Sequence, residues 1–127
     1  MNQDTNRRNN IYNKSMSEVK KSDLTISVSL NQDKHPVKIE WAAQDSGSDG
    51  MRNTKAMMLA LFDQKDHTTM RIDLWTPEMM VEEMQVFFYE TFASMADTYE
   101  RATNDKDLSA EMRAFAKSFG LKTKVIR

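Results

Sequence analysis

The spacing of apolar residues changes once along this 127-residue chain, at Trp75–Thr76, and that change limits the folds it can adopt. Before it, apolar and polar residues alternate in Leu24–Leu30, in 37–41 and in 70–75, the pattern of half-buried strands. The apolar run Ala56–Phe62 predicts one more strand, although seven apolar residues also fit a turn or two of helix. Because the links between these segments are short, the four strands are expected to form an antiparallel sheet.

After Trp75 the apolar period becomes that of a helix. Thr76 and Pro77 predict its start, with Thr76 as the N-cap and Pro77 at the first helical position, and the helix should run to about residue 102. Its apolar stripe recurs every three or four residues and consists of Val81, Met84, Phe88, Phe92, Met95 and Tyr99. Residues 104–107 are expected to break it. A second stripe over 108–119 predicts another helix, closed by Gly120 in the left-handed conformation after its last turn.

These elements predict a single α+β domain over residues 17–127 in the order ββββαα, a four-stranded antiparallel sheet followed by two helices packed on one face. The stretch before it, residues 1–16, is expected to be a disordered N-terminal extension because it is rich in Asn and has almost no apolar residues.

Composition and motifs exclude several classes of function. The chain has no Cys, and therefore no disulfide, thiol nucleophile or Cys-ligated metal. A net charge of −1 and a pI of about 6.1 argue against a nucleic-acid binder. The first fifteen residues lack the apolar core of a secretory signal, and no run is long enough to span a bilayer, which predicts a cytoplasmic protein without membrane insertion.

No catalytic, metal or cofactor motif is present in the sequence. His35 and His67 both fall in predicted turns, where neither a partner nor a cleft would make them useful bases or ligands. The segment 45–50 resembles the start of a calcium loop but has Gly47 and Ala56 where that motif requires an oxygen ligand. We therefore expect no metal, no cofactor and no enzymatic activity.

Charge is segregated in the C-terminal half of the chain. Residues 76–100 contain six acids and no Lys or Arg, whereas residues 113–127 contain five bases and no acid. This pattern fits a solvated helix face with a basic tail nearby. It also fits an acidic docking surface for a basic partner, since complementary charge guides orientation and association rate. The candidate residues are Glu82, Glu83, Glu90 and Asp97.

A second candidate surface lies on the predicted sheet. In Ala56–Phe62 both faces of the strand are apolar, and one pair of helices can cover only one of them. We therefore expect an exposed apolar interface, used for self-association, formed by Met57, Leu59, Leu61 and Trp75. The eleven methionines suit an adaptable contact surface, although most of them can equally fill gaps in a core.

Several segments resemble the GldC family, small gliding-motility proteins of Bacteroidetes. The resemblance rests on Met-Arg-Ile-Asp-Leu-Trp at 70–75 followed by the Thr-initiated helix, and on Phe-Ala-Ser-Met-Ala-Asp-Thr-Tyr-Glu-Arg-Ala-Thr at 92–103. Lys-Ser-Asp-Leu-Thr at 21–25 and Val-Lys-Ile-Glu-Trp at 37–41 are similar as well, so that it extends over roughly residues 17–119. The resemblance implies a cytoplasmic accessory protein of the gliding apparatus, with no enzymatic activity.

Three functions remain at this point. The first is a non-catalytic accessory or adaptor protein that is a homo-oligomer, contacts gliding or secretion components and reaches the inner membrane through a partner. The second rests on fold-level analogy: the order ββββαα is also that of SecB-type export chaperones, which suggests a chaperone or carrier for exported envelope proteins. The third is an enzyme or small-ligand binder with a pocket around Arg71, Asp73 and Trp75.

Overall fold

The computed structural model describes residues 19–45 and 50–127. The predicted disordered extension, residues 1–16, lies outside the described residues, as do residues 46–49 of the predicted loop over 44–50. Five strands precede two helices: β1 Leu24–Leu30, β2 Pro36–Ala43, β3 Arg52–Thr54, β4 Ala56–Phe62, β5 Thr69–Trp75, α1 Val81–Thr103 and α2 Lys106–Lys122. The prediction of an α+β fold is confirmed.

The first two strands form the expected antiparallel hairpin. Ile26 lies opposite Trp41 and Val28 opposite Ile39, so the apolar residues of the two strands share one face. In the turn, the side-chain oxygen of Asn31 accepts hydrogen bonds from the backbone N–H groups of Asp33 and His35, at 2.9 and 3.0 Å. The Asn side chain thus satisfies the backbone groups that the turn removes from the ladder.

The prediction of a single four-stranded sheet is wrong. β3 pairs with β2 in a three-stranded sheet of order β1–β2–β3, whereas β4 and β5 form a separate two-stranded sheet. The two sheets are joined at Lys55, the one residue between β3 and β4. There the Thr54 hydroxyl donates to the carbonyl of Ala56 at 2.9 Å, and the carbonyl of Lys55 accepts from the N–H of Thr76 at 2.8 Å.

The first helix begins later than predicted. Thr76 is buried, and its carbonyl accepts from the N–H of Met79 at 3.0 Å, so that 76–79 form a turn instead of the first helical turn. The helix begins at Val81. The Glu83 carboxylate accepts a hydrogen bond from the N–H of Met80, the residue before the helix, at 3.1 Å. Glu83, at the third helical position, thus binds the N–H of the residue before the helix, and Thr76 is not the N-cap.

The two helices are joined more tightly than predicted. α1 ends at Thr103, followed by Asn104 in the left-handed conformation with φ 58°. α2 begins at Lys106, and the side chain of Asp105 accepts from the N–H of Leu108 at 3.1 Å. The break therefore spans two residues, because Asn104 and Asp105 supply the end of one helix and the cap of the next.

The sequence predicts that Gly120 closes the second helix, and this prediction is wrong. It lies buried inside α2, which continues to Lys122. A Cβ at this position would lie 2.8 Å from ring carbons of Tyr89 and from the Cγ1 atom of Ile126. The glycine is therefore required by close packing against α1 and the C-terminal tail, and not by a left-handed backbone.

The buried core of the described residues is small. Its buried apolar members are Ile39 in β2, Ala96 in α1 and Ala116 in α2. Between the helices the ring of Phe92 meets Phe115 and Phe119 edge to face, with centroids 5.3 and 5.2 Å apart. α2 packs against α1 and each strand against its ladder neighbour, so the described residues are held together mainly by local pairs of elements.

Candidate interaction surfaces

The β4–β5 hairpin has one entirely apolar face. Its register places Met57 opposite Leu74, Leu59 opposite Ile72 and Leu61 opposite Met70. Cross-strand partners point to the same side of a sheet, so all six side chains lie on one face. We call these six residues the apolar sheet face. Leu61 is 56% exposed, Met70 61% and Ile72 49%, so its outer half is open to solvent.

Trp75 does not join this face. It lies opposite Ala56, on the other side of the same hairpin, together with Phe62, Arg71 and Asp73. The structure therefore brings together Met57, Leu59 and Leu61 of the four predicted sheet residues and separates Trp75 from them. Trp75 is nonetheless 58% exposed, and it lines a shallow groove with His35, Pro36, Asp73, Leu74 and Pro77.

The Arg71 and Asp73 side chains pair with each other on this second face. Arg71 donates two hydrogen bonds to the Asp73 carboxylate, at 2.8 and 3.1 Å. The hydrogen bond and charge of Asp73 raise the pKa of Arg71 above its ordinary value. Because the pair satisfies its own charges on an open surface, its role in a ligand pocket stays a prediction.

An apolar cleft lies where the two sheets and α1 meet. It is lined from β1 and β2 by Leu24, Ile26, Ile39 and Trp41, and from the other elements by Thr54, residues 56–59 and Phe87. The guanidinium of Arg52 lies over the Trp41 ring, 6.0 Å from the ring centre. The cleft has a volume of about 410 Å³ and an apolar lining, which suits an extended apolar segment.

The predicted acidic residues are divided by the fold. Glu83 pairs with Lys55 at 2.8 Å and Asp97 with Arg113 at 2.9 Å. Glu82 and Glu90 are exposed and make no ion pair within the described part of the chain. Half of the predicted acidic surface is thus neutralised within the molecule, and the free negative charge is concentrated on the first half of α1.

Hydrogen bonds lower the pKa values of two of the paired acids, Glu83 and Glu100. The side-chain hydrogen bond from Lys55, followed by the backbone bond from Met80, lowers the pKa of Glu83. Hydrogen bonds from Arg113 and from the hydroxyl of Ser109 lower the pKa of Glu100 in the same way. Arg113 therefore links both acids of the second half of α1 to α2, at 2.9 and 3.3 Å.

The helix pair carries an exposed apolar surface, although the sequence predicts that the helices pack on the sheet. Phe115 is 58% exposed, Met95 49%, Leu108 48% and Phe88 37%. A groove of about 500 Å³, here called the helix groove, separates α1 from α2 and is lined by Phe92, Met95, Tyr99, Leu108, Glu111, Met112 and Phe115. An apolar stripe at helical spacing cannot distinguish a core from an interface. The composition gives no signal for the difference either, since hydrophobic residues make up 39% of the chain.

Other kinds of site find no support among residues 19–45 and 50–127. No group of three His, Asp or Glu side chains in these ranges could hold a metal ion. His67 stacks on Phe62, with ring centres 6.0 Å apart, in the turn between β4 and β5. No helix in the described ranges is long and apolar enough to cross a membrane.

The chain was compared with families, curated sequences and solved structures. The family model described as gliding motility-associated protein GldC-like matches residues 36–125, which include β2 to β5, both helices, the apolar sheet face and the helix groove. No curated protein and no solved structure matches the chain. Because the family match extends over more than half of the sequence, the chain belongs to the GldC-like family of gliding motility-associated proteins.

Proposed function

We propose that this protein is a non-catalytic accessory protein of the gliding apparatus that acts as an adaptor through protein–protein contacts. Membership of the family supplies the association with gliding motility. The observation that carries the adaptor role is the apolar sheet face, whose outer residues Leu61, Met70 and Ile72 are half exposed or more. Clustered apolar side chains on a surface favour binding because their burial removes apolar area from water.

The apolar sheet face is the surface proposed to bind a protein component of the gliding or secretion machinery. Met57 and Met70 lie on it, and their flexible side chains adapt to a partner of irregular shape. The free carboxylates of Glu82 and Glu90, on α1, supply long-range attraction for a basic partner and accelerate its approach. In this proposal the chain is cytoplasmic, needs no cofactor and reaches the inner membrane through its partner.

Co-purification from the native cells tests the proposal. The full-length tagged chain is recovered from cytosolic and membrane fractions, as the unaltered protein and as Met70→Glu and Thr69→Glu variants. Met70 is on the apolar sheet face, whereas its neighbour Thr69 points to the opposite face, so the two variants add the same charge to opposite sides of one strand.

The adaptor role predicts that gliding or secretion components are recovered with the unaltered chain and with Thr69→Glu. They should be lost with Met70→Glu, because the carboxylate would be buried against an apolar partner without a counter-charge. Recovery that is unchanged in Met70→Glu would exclude this face as the docking surface. Recovery of no such component with the unaltered chain would contradict the adaptor role itself.

The apolar cleft favours one second candidate, a SecB-like chaperone or carrier for exported envelope proteins. Ile26, Trp41 and Phe87 line a space that an extended apolar segment of an unfolded client could enter. The same co-purification distinguishes this function. A broad set of envelope precursors, lost in a Trp41→Glu variant and retained in Met70→Glu, would support a chaperone, whereas a defined set of gliding components supports the adaptor.

A further inference from the structure

The helix groove lies between α1 and α2 and has a mostly apolar lining, to which Glu111 adds one carboxylate. Phe92 lies on its floor, with its ring in edge-to-face contact with Phe88 and Phe115 at 5.9 and 5.3 Å. The walls are formed by Met95 and Leu108, each about half exposed. This surface is separate from the apolar sheet face, which lies on β4 and β5.

The exposed area on this side of the helices is of the size that a dimer requires. From their exposed fractions, Phe88, Met95, Leu108 and Phe115 together present on the order of 400 Å² of apolar surface. A stable interface buries about 800 Å² per partner, of which roughly two thirds is apolar in homodimers. These four side chains therefore supply most of the apolar area that one half of such an interface needs.

The charges of the two helices identify what covers this surface. α1 contains five carboxylates and one guanidinium, whereas α2 contains four bases and two acids. After the internal pairs of Glu83 with Lys55 and of Arg113 with the α1 acids, α1 keeps a net charge of −2 and α2 of +1. Within one molecule this difference is used where Arg113 of α2 binds Asp97 and Glu100 of α1. A second copy of the chain offers the same complementary pair of helices and the same apolar groove.

Two symmetric arrangements can bring the grooves of two copies face to face. In one, each helix meets its own counterpart, which sets the net negative charge of α1 against the same charge of the other copy. In the other, α1 of each copy meets α2 of its partner, so that net negative charge faces net positive charge on both sides of the two-fold axis. Since complementary charge selects orientation, the second arrangement is favoured.

We propose that the helix groove is a homodimer interface, in which α1 of each copy packs against α2 of the other to form a four-helix bundle around Phe92, Met95, Leu108 and Phe115. This goes beyond the adaptor role, because it assigns self-association to the helices and leaves the apolar sheet face of each copy free for a partner. The dimer would then present two copies of that face.

The mass of the full-length chain in solution, measured by analytical ultracentrifugation over a wide range of chain concentration, tests the proposal. The key variant is Phe115→Glu in the helix groove, and Leu61→Glu on the apolar sheet face is the matched control. The two side chains are 58% and 56% exposed, so each variant adds the same charge at a site of nearly equal exposure.

The unaltered chain and Leu61→Glu should be dimers. Phe115→Glu should be a monomer with unchanged helical circular dichroism, its dissociation constant raised by at least about 30-fold because an unpaired carboxylate is buried. If Phe115→Glu fails to fold, Met95→Lys decides the question, since it places a charge on the opposite wall at a half-exposed position. It should be monomeric as well.

Added salt tests the arrangement of the helices. Attraction between α1 and the partner's α2 predicts that the dimer weakens as salt rises, whereas facing α1 helices would predict that it tightens. A monomeric unaltered chain at every concentration would overturn the proposal. So would a dimer that survives Phe115→Glu, or Met95→Lys where that variant decides, or one that is lost in Leu61→Glu. A dimer that tightens with salt would overturn the pairing of α1 with α2.

Discussion

Replacing Gly120 by Ala should destabilise the fold, although the same change in an ordinary helix is favourable. Glycine in a helix interior costs about 1 kcal/mol relative to alanine, so propensity alone predicts a gain of that size. The new Cβ, however, would lie 2.8 Å from two ring carbons of Tyr89 and from Ile126, closer than packed atoms approach. Overpacking of this kind costs about 1–3 kcal/mol, which exceeds the gain.

The expected net effect is a loss of up to about 2 kcal/mol, or a fall in melting temperature of up to roughly 10 °C for a domain of this size. Urea denaturation followed by circular dichroism at a fixed chain concentration measures it. Ala114→Gly is the control, because this exposed position in α2 reports helix propensity alone and should cost about 1 kcal/mol.

A third variant separates close packing from a left-handed backbone. If Gly120 were the left-handed residue that ends α2, Asn would be better tolerated than Ala there, since Asn adopts that conformation more readily. Against Tyr89 and Ile126 the larger Asn side chain should instead be worse than Ala. A Gly120→Ala variant that is more stable than the parent, or a Gly120→Asn variant milder than Ala, would refute this account of the packing.

Three further predictions follow from the helices and their ends. In the same urea assay, Phe92→Ala should lower the free energy of unfolding by about 3 kcal/mol and Phe88→Ala by about 1 kcal/mol. The difference is expected because Phe92 contacts three aromatic rings, whereas Phe88 contacts one and is 37% exposed. Equal losses would contradict this packing. Asn104→Ala should cost about 1 kcal/mol and Asn104→Gly almost nothing, since φ at this position is 58°; thermal melts that place Ala level with Gly would count against the left-handed cap. The pKa values of Glu83 and Glu100 are lower in the folded state than in the unfolded chain, so the folded state binds fewer protons and these groups contribute stability above their ordinary pKa that is lost as the pH falls through the folded values. Urea melts between neutral and acid pH should show a loss that is smaller in Glu100→Gln, and an unchanged loss would contradict the role of this carboxylate.

The sequence identified most elements because their patterns are local. Alternation in Leu24–Leu30 and in Thr69–Trp75 is fixed by which side chains share a face, and the structure forms a strand at both places. The family was also identified correctly, over residues that include both the strand before Thr76 and the long helix.

The remaining errors come from features that a local pattern cannot carry. β3 has only three polar residues, so nothing in Arg52–Thr54 alternates, and the break at Lys55 depends on a hydrogen bond to the distant Thr76. Thr is a typical N-cap residue, but the N–H of Thr76 binds the carbonyl of Lys55, and the helix begins only at Val81. The requirement for glycine at position 120 depends on the ring of Tyr89, which packs there from the other helix.

The candidate surfaces could be predicted only in part, for a related reason. Periodicity finds the apolar side chains of a helix but gives no information on whether another element covers them. The sequence predicts that both helices pack on the sheet, whereas Met95 and Phe115 are about half exposed. Of the predicted sheet residues, Leu61 and Trp75 are exposed whereas Met57 and Leu59 are half-buried, and their division into two faces required the pairing of Ala56 with Trp75.

Lys55 has a mechanical consequence for how this protein could respond to load. The strand ladders stop on either side of it, so among the described strands no ladder hydrogen bond joins the two sheets, and a change in the angle between them would break none. Its carbonyl is bound to Thr76 and its ammonium to Glu83 in the first turn of α1. Force on the β4–β5 hairpin would therefore reach α1 through these two contacts of Lys55. It would alter the width of the cleft that Phe87 lines.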